Sequence, residues 1–380
     1  MRILMWTDLY WPHIGGIEVL GRQLVAELRQ RGHEVIVVTG QAVEQLPDVD
    51  ELDGATIHRF NFRAAMGQGD VESFVRLRRG VAALKQQFAP DVIHLNGVGP
   101  SVLFHLATKD AYRAPVLTTM QQNIQPTEPT GPQSVMGRTL READWVSCVS
   151  DELLEQVHER VPEVIGRSST IYNVLQLPEV TPQPLPFDPP VFLCLGRICA
   201  DKRFNVAVDA LAQIAGEYPD FRVLVAGDGD QRAALEAQVA RLDLSERVEF
   251  CGWVPPDDVP QLINRCTALL MPSRREGLPL VGVQAMMMGR PIIGSRTTGL
   301  TEIIVDGQTG SIVAVDDTDG FAAALRATLA NPEATQRQGK AARQRALELF
   351  DWNRAVNAYC DRYRHLIEEF THGRVAMCAS

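Results

Sequence analysis

The residues best suited to chemistry lie in SRREGLPLVGVQAMMMGRPIIGS, positions 273–295. A strand over Ala268–Met271 is expected to end at Pro272, leaving Glu276 in a loop. Gly277, Leu278, Pro279 and Leu280 then lead into an apolar helix. A helix start presents free N–H groups and the positive end of the helix dipole, which suits phosphate. A carboxylate beside it can accept hydrogen bonds from sugar hydroxyls. Gln284 stands eight positions after Glu276, about two helical turns on. A second stretch, LGRICADKRF, places Arg197 just past an apolar strand with Lys202 five residues later. A guanidinium fork matches phosphate oxygens and lysine adds a point charge, so the two can neutralise a diphosphate without a metal ion. A third, Gly15-Gly16 between the first strand and the first helix, lets the backbone approach an anion closely.

Other candidates carry less. Asp228-Gly229-Asp230 has the form of a metal-binding DxD, but it follows a strand as a glycine turn, and Asp230 is placed to cap a helix over Gln231–Leu242. No metal site is therefore assigned. His94 sits in an apolar strand and is expected to be a hydrogen-bonded core or cleft-edge residue; neither it nor His105 is taken as catalytic. Phe74–Phe88 is basic and amphipathic, with Arg76, Arg78, Arg79 and Lys85. Such a helix can touch an anionic membrane surface. Gly80 weakens it, and a solvated surface helix packed on a sheet is the favoured reading over peripheral membrane contact.

The elements that must position these residues alternate from the start. Arg2–Thr7 is a short apolar run, Glu18–Arg31 an amphipathic helix ended by Gly32, and Glu34–Thr39 a β-branched run. Further strands are expected at Asp91–Leu95, Pro115–Thr119 and Trp145–Val149. Six prolines between Pro178 and Pro190 rule out a central strand or helix interior there. The alternation resumes with Val191–Leu195, Phe221–Ala226, Val248–Cys251, Ala268–Met271 and Pro291–Gly294. Buried strands between helices imply parallel sheets. The fold class is thus α/β, with two Rossmann-like domains facing each other across a cleft. The expected division is an N-terminal domain over 1–177, a proline-rich linker over 178–190, and a C-terminal domain over 191–350, so that one half can hold a nucleotide and the other a second substrate. A helix over 351–370 crosses back to the first domain, and the tail Thr371–Ser380 is expected to be loose.

Composition agrees. The chain has 380 residues, 45% of them hydrophobic, enough for two cores. Its net charge of −10 speaks against a nucleic-acid partner. Seven scattered cysteines without a CxxC point away from a disulfide framework or zinc site and towards a reducing, cytoplasmic setting. Neither a signal peptide nor a stretch near the ~20 apolar residues of a membrane span is visible.

Taken in order, Gly15-Gly16, Gly196-Arg197 with Lys202, Ala226-Gly227-Asp228-Gly229, Gly252-Trp253-Val254, the Glu276 loop, and Gly299 with Glu302 form a combination over nearly the whole chain. In it the chain resembles the retaining glycosyltransferases of family 4 (glycosyltransferase group 1, GT-B fold), which include bacterial mannosyl- and glucosyltransferases and sucrose synthases. The resemblance implies that Arg197 and Lys202 hold the diphosphate of a nucleotide sugar, with Gly16 approaching from the opposite domain. It implies that Glu276, the catalytic candidate, binds the donor sugar's hydroxyls beside the N–H groups of Gly277 to Leu280. Trp253 falls where the family's backbone meets the base, and no cofactor is required. There are two departures. Gln284 replaces the family's ribose-binding glutamate, and Met120 and Gln121 stand where a histidine often approaches the donor sugar. The implied reaction transfers a sugar, a hexose by expectation, to an acceptor met mainly by first-domain loops such as Gln121–Gln133. Negative charge builds on the leaving diphosphate, and Arg197, Lys202 and the helix start address it. Two alternatives stay open: a nucleotide-sugar 2-epimerase, which the Glu276 loop and the Arg197–Lys202 pair oppose, and an inactive nucleotide-sugar-binding subunit, for which Gln284 and Met120 speak.

Overall fold

The structure, a computed structural model, describes residues 1–41, 46–67 and 71–378. It divides into two compact units, one of Met1–Asn173 with Trp352–Ser380 and one of Val174–Asp351.

The first unit is built on eight strands: β1 (Arg2–Thr7), β2 (Glu34–Gly40), β3 (Val49–Leu52), β4 (Ala55–Phe60), β5 (Val92–Asn96), β6 (Val116–Met120), β7 (Trp145–Cys148) and β8 (Ser168–Thr170). Their order is β3-β4-β2-β1-β5-β6-β7-β8, with every neighbour parallel except β3 and β4. Successive side chains of β1 point to opposite faces. Ile3 and Met5 join a core with Leu24, Val25 and Leu28 of the helix Gly16–Gln30. Leu4 and Trp6 join another with Val81 and Phe88 of the helix Val71–Phe88. The β3–β4 hairpin was not expected from the sequence. β3 is mostly exposed and polar, so it lacks the apolar signal that marks the other strands. Its turn carries the Asp53-Gly54 pair, both at positive φ, a recognisable hairpin signature. The last helix runs from Trp352 to Cys378, so Thr371–Cys378 is helical rather than loose, and the last two positions lie outside the described residues. Val356, Tyr359, Cys360, Tyr363 and Leu366 bury that helix against the same face as Ile3 and Met5.

The second unit carries β9 (Val191–Leu195), β10 (Arg222–Ala226), β11 (Val248–Gly252), β12 (Ala268–Met271), β13 (Ile292–Ser295) and β14 (Gly310–Val313). All are parallel, in the order β11-β10-β9-β12-β13-β14. The chain builds outward from β9 on one side and then from β12 on the other, so the strand order reverses between them. Ligands of open parallel sheets bind beyond the carboxyl ends of the strands at such a reversal. The proline-rich run lies against this unit. Asn264 accepts from the Gln183 N–H at 3.1 Å, and the buried Arg290 donates to the Gln183 carbonyl at 2.8 Å.

Candidate active site at the reversal of the second sheet

Arg197 follows β9 and Glu276 follows β12, the two strands that flank the reversal. Arg197 is exposed and has no hydrogen-bond or ion-pair partner among the described residues. Lys202 reaches across the reversal and donates from Nζ to Glu276 Oε1 at 2.7 Å. The Glu276 side chain is only 9% exposed, against 24% for Lys202. The strand ends of this unit therefore hold one unpaired cation beside one compensated ion pair, and an incoming anion finds net positive charge.

The helix that begins beside this pair is Leu280–Met287. Pro279 occupies its N-cap position and makes no side-chain cap bond, as proline must not, having no polar side chain. The first N–H groups are thereby left without a side-chain acceptor. Gly277, Leu278, Pro279 and Leu280 are all buried. Gln284 lies on the helix, 5% exposed, and its amide has no side-chain partner among the described residues.

Two glycines show why the strand ends pack so closely. A Cβ on Gly227 would lie 2.0 Å from the Gly196 carbonyl oxygen, and one on Gly299 would lie 2.1 Å from that of Gly277. Both have positive φ, +131° and +79°, so backbone approaches backbone there and no side chain fits. Trp253 stands just past β11, with 51% of its surface exposed. Two strand spacings, roughly 10 Å, separate β11 from β9. The DxD segment behaves differently from its expected capping role. The helix runs Arg232–Arg241 with Gln231 at its N-cap and no side-chain cap bond, so Asp230 does not cap it. Asp228 accepts from the Gly229 N–H at 2.7 Å and pairs with Arg232 at 3.3 Å. Among the described residues no cluster of three or more His, Cys, Asp or Glu side chains is placed to hold a metal ion.

Three hydroxyls at the strand ends escaped the sequence reading. Ser273 Oγ, Ser295 Oγ and Thr297 Oγ1 are buried without a hydrogen-bond partner among the described residues. Serine and threonine are too common at strand ends for such positions to stand out in a sequence. A separate cavity of about 460 Å³ opens at the amino ends of β9 to β11, lined by Arg222, Arg247, Arg265, Glu246 and Glu249 among others. It contains none of the residues singled out above.

Gly15, Gly16, Met120 and Gln121 belong to the first unit. Gly15 is the extended N-cap of the first helix and Gly16 is exposed at its first turn. Met120 ends β6 and is buried. Gln121 follows it into a neutral network. Its Nε2 donates to Asn96 Oδ1 at 2.7 Å, and its Oε1 accepts from Asn173 Nδ2 at 2.6 Å. All three amides are less than a tenth exposed. His94 is a core residue. Its ring nitrogens bond Tyr363 Oη at 2.6 Å and Thr119 Oγ1 at 2.7 Å, and burial pulls its pKa down to about 3. Lys85 leaves the basic face assigned to its helix. It is fully buried, with Nζ 3.3 Å from His105 Nδ1, and burial lowers its pKa to about 7. Arg76, Arg78 and Arg79 are exposed as expected. No helix among the described residues is long and apolar enough to cross a membrane.

Comparison with known proteins supplies the context for this geometry. Residues 179–345 match the family model for glycosyl transferases group 1, and residues 15–165 match that for a glycosyl transferase 4-like domain. A glycogen synthase from Mycobacterium tuberculosis is 27% identical over 96% of this chain and 94% of its own length. A solved sucrose-phosphate synthase from Thermosynechococcus elongatus superposes with a TM-score of 0.83 at 22% identity, covering 97% of this chain and 99% of that one. A structure of Anabaena HepE in complex with UDP and glucose gives 0.78 at 19% identity, covering 95% and 99%. Every site residue proposed from the sequence lies inside one of the two matched ranges.

Proposed function

Since the chain belongs to the group 1 glycosyltransferases, with the GT-B fold, we propose that it moves a hexosyl group from a nucleoside diphosphate sugar to an acceptor hydroxyl, without a metal ion and with retention of anomeric configuration. The observation that carries the reading is the unpaired Arg197 beside the Lys202–Glu276 pair at the sheet reversal. The bond from the anomeric carbon to the β-phosphate oxygen breaks as the bond to the acceptor oxygen forms. The acceptor's proton leaves to the departing diphosphate on the same face. Arg197, Lys202 and the start of the helix Leu280–Met287 stabilise the charge that develops on that diphosphate. Glu276 turns to the sugar hydroxyls, Gln284 to the ribose and Trp253 to the base. The UDP held by the Anabaena relative supports a nucleoside diphosphate donor. The first unit takes the acceptor, through loops such as 121–133.

The test is transfer from a panel of UDP-, GDP-, ADP- and dTDP-hexoses to an acceptor library in excess EDTA, with the product anomer read by NMR. Transfer in EDTA with the donor's own anomeric configuration is expected. Loss of activity in EDTA with rescue by magnesium or manganese overturns the metal-free part, and an inverted product overturns retention. Formation of a C2 epimer from the donor alone, without transfer, makes the chain an epimerase instead.

A further inference from the structure

The sequence neighbours of the Lys202–Glu276 pair make further ionic contacts, one between themselves and one through Asp316. Asp201 precedes Lys202 and Arg275 precedes Glu276. Arg275 donates from Nε to Asp201 Oδ1 at 3.1 Å, while its Nη2 bonds Oδ2. Arg203 follows Lys202 and donates from Nε to Asp316 Oδ1 at 2.6 Å. Asp316 Oδ2 accepts from Arg274 Nε at 2.8 Å and Nη2 at 2.7 Å. The Arg274 N–H also donates to the Asp201 carbonyl at 2.9 Å. The loops after β9 and β12 are thus joined directly by two ionic rungs and indirectly by a third, in which Asp316 from the loop after β14 pairs with both Arg203 and Arg274; in sequence the middle rung is that of the two residues assigned to the donor.

The rungs differ in burial and in backbone. Asp201 and Arg275 are each 45% exposed, whereas Glu276 in the middle is nearly covered. Arg203 and Asp316, the two ends of one outer contact, both hold left-handed backbones, φ 52° and 63°. Side-chain-bearing residues avoid that region, and such conformations persist where surrounding contacts over-determine them. Asp316 also directly precedes Asp317, whose side chain caps the helix Thr318–Ala330, so this anchor is itself fixed.

We propose that Asp201, Arg275, Arg203, Asp316 and Arg274 are positioning residues. Their contacts keep the two loops in register when the middle rung opens, so that Lys202 can swing to the diphosphate while Glu276 stays aimed at the sugar. The proposal rests on the donor site described above. A lysine stem is flexible and its ammonium reaches many places, so holding its backbone close to Glu276 restricts where the charge goes. Exposed ion pairs contribute little to folding on their own, and that separates positioning from stability in an experiment.

The experiment uses the full chain. Calorimetric binding of UDP, GDP and ADP is measured for wild type, Lys202→Ala, Asp201→Asn, Asp316→Asn and the exchanged pair Asp201→Arg with Arg275→Asp, alongside urea unfolding of each. For the best-bound nucleotide we expect about a three- to tenfold loss in Asp201→Asn and Asp316→Asn at about 50 mM salt. The urea midpoints should stay nearly unchanged, the loss should shrink at about 500 mM salt, and the exchanged pair should recover most of the affinity. Wild-type affinity in both single variants, with Lys202→Ala still defective, overturns the positioning role and leaves the donor site standing. So does a loss matched by an equal fall in the urea midpoint and not recovered by the exchange. Failure of every nucleotide to bind wild type, or full affinity in Lys202→Ala, sinks the donor site and the frame with it.

Discussion

The two sheets share a parallel α/β plan, yet their carboxyl ends are finished in opposite ways. Beyond β9 and β12 the second unit presents charge: a free guanidinium at Arg197, an ammonium–carboxylate pair, and exposed ionic contacts around them. Beyond β5 and β6 the first unit presents a neutral chain of amides, Asn96–Gln121–Asn173, all three buried. Charge is tolerated in the second unit because it stays near water and can meet a charged ligand. Amides suit the first because a buried, hydrogen-bonded amide carries no ionic desolvation penalty.

The largest effect expected breaks the charged end. Arg197→Ala removes the unpaired cation, and transition-state contacts of that kind are worth about 2.7–4 kcal/mol. Turnover on every donor should fall about 100- to 1,000-fold, with folding unchanged because the side chain is exposed and unpaired in the described structure. Steady-state kinetics near wild type would remove the charged end from the chemistry.

A middle-sized effect sharpens the contrast from the first unit, where Lys85 is a deeply buried amine. Its pKa falls from 10.5 to about 7 through burial. As pH drops through that window the unfolded chain takes up a proton that the folded chain refuses, so stability declines towards pH 7 and levels off below it. Lys85→Met removes the slope. The variant should be more stable than wild type by about 2 kcal/mol at pH 7, and the gap should narrow by pH 9, as followed by urea unfolding at both values. A constant gap, or a destabilised variant at pH 7, would show that His105 offsets the burial of the charge.

The smallest effect concerns Gln284, a neutral amide placed within the charged end. An amide both donates and accepts, whereas a carboxylate only accepts and forms stronger, charge-assisted bonds with hydroxyls. Gln284→Glu should favour ribonucleotide over deoxyribonucleotide donors by on the order of 1 kcal/mol, read as the ratio of kcat/KM for UDP- and dTDP-sugars. An unchanged ratio would take Gln284 out of ribose recognition.

Much of this architecture is legible without coordinates. The β9 and β12 bounds read from apolar runs agree with the structure to the residue, because short buried strands between helices leave an unbroken hydrophobic signal. The β3–β4 hairpin was missed because an exposed edge strand has no apolar face to announce it. Arg197, Lys202, Glu276 and the glycines were recognisable singly, since each sits where a strand gives way to a helix. Their partnerships were not. Lys202 and Glu276 are 74 positions apart, and Arg203 and Asp316 are 113. Nothing in local spacing says which loop meets which. That is decided by the strand order, which sets β12 beside β9 and reverses the direction of growth there. The same holds for Lys85, which reads as one more basic residue on a helix whose neighbours Arg76, Arg78 and Arg79 do face water. Helical periodicity reports relative orientation along one element, and only packing against Trp6 and His105 turned one of those four charges inward.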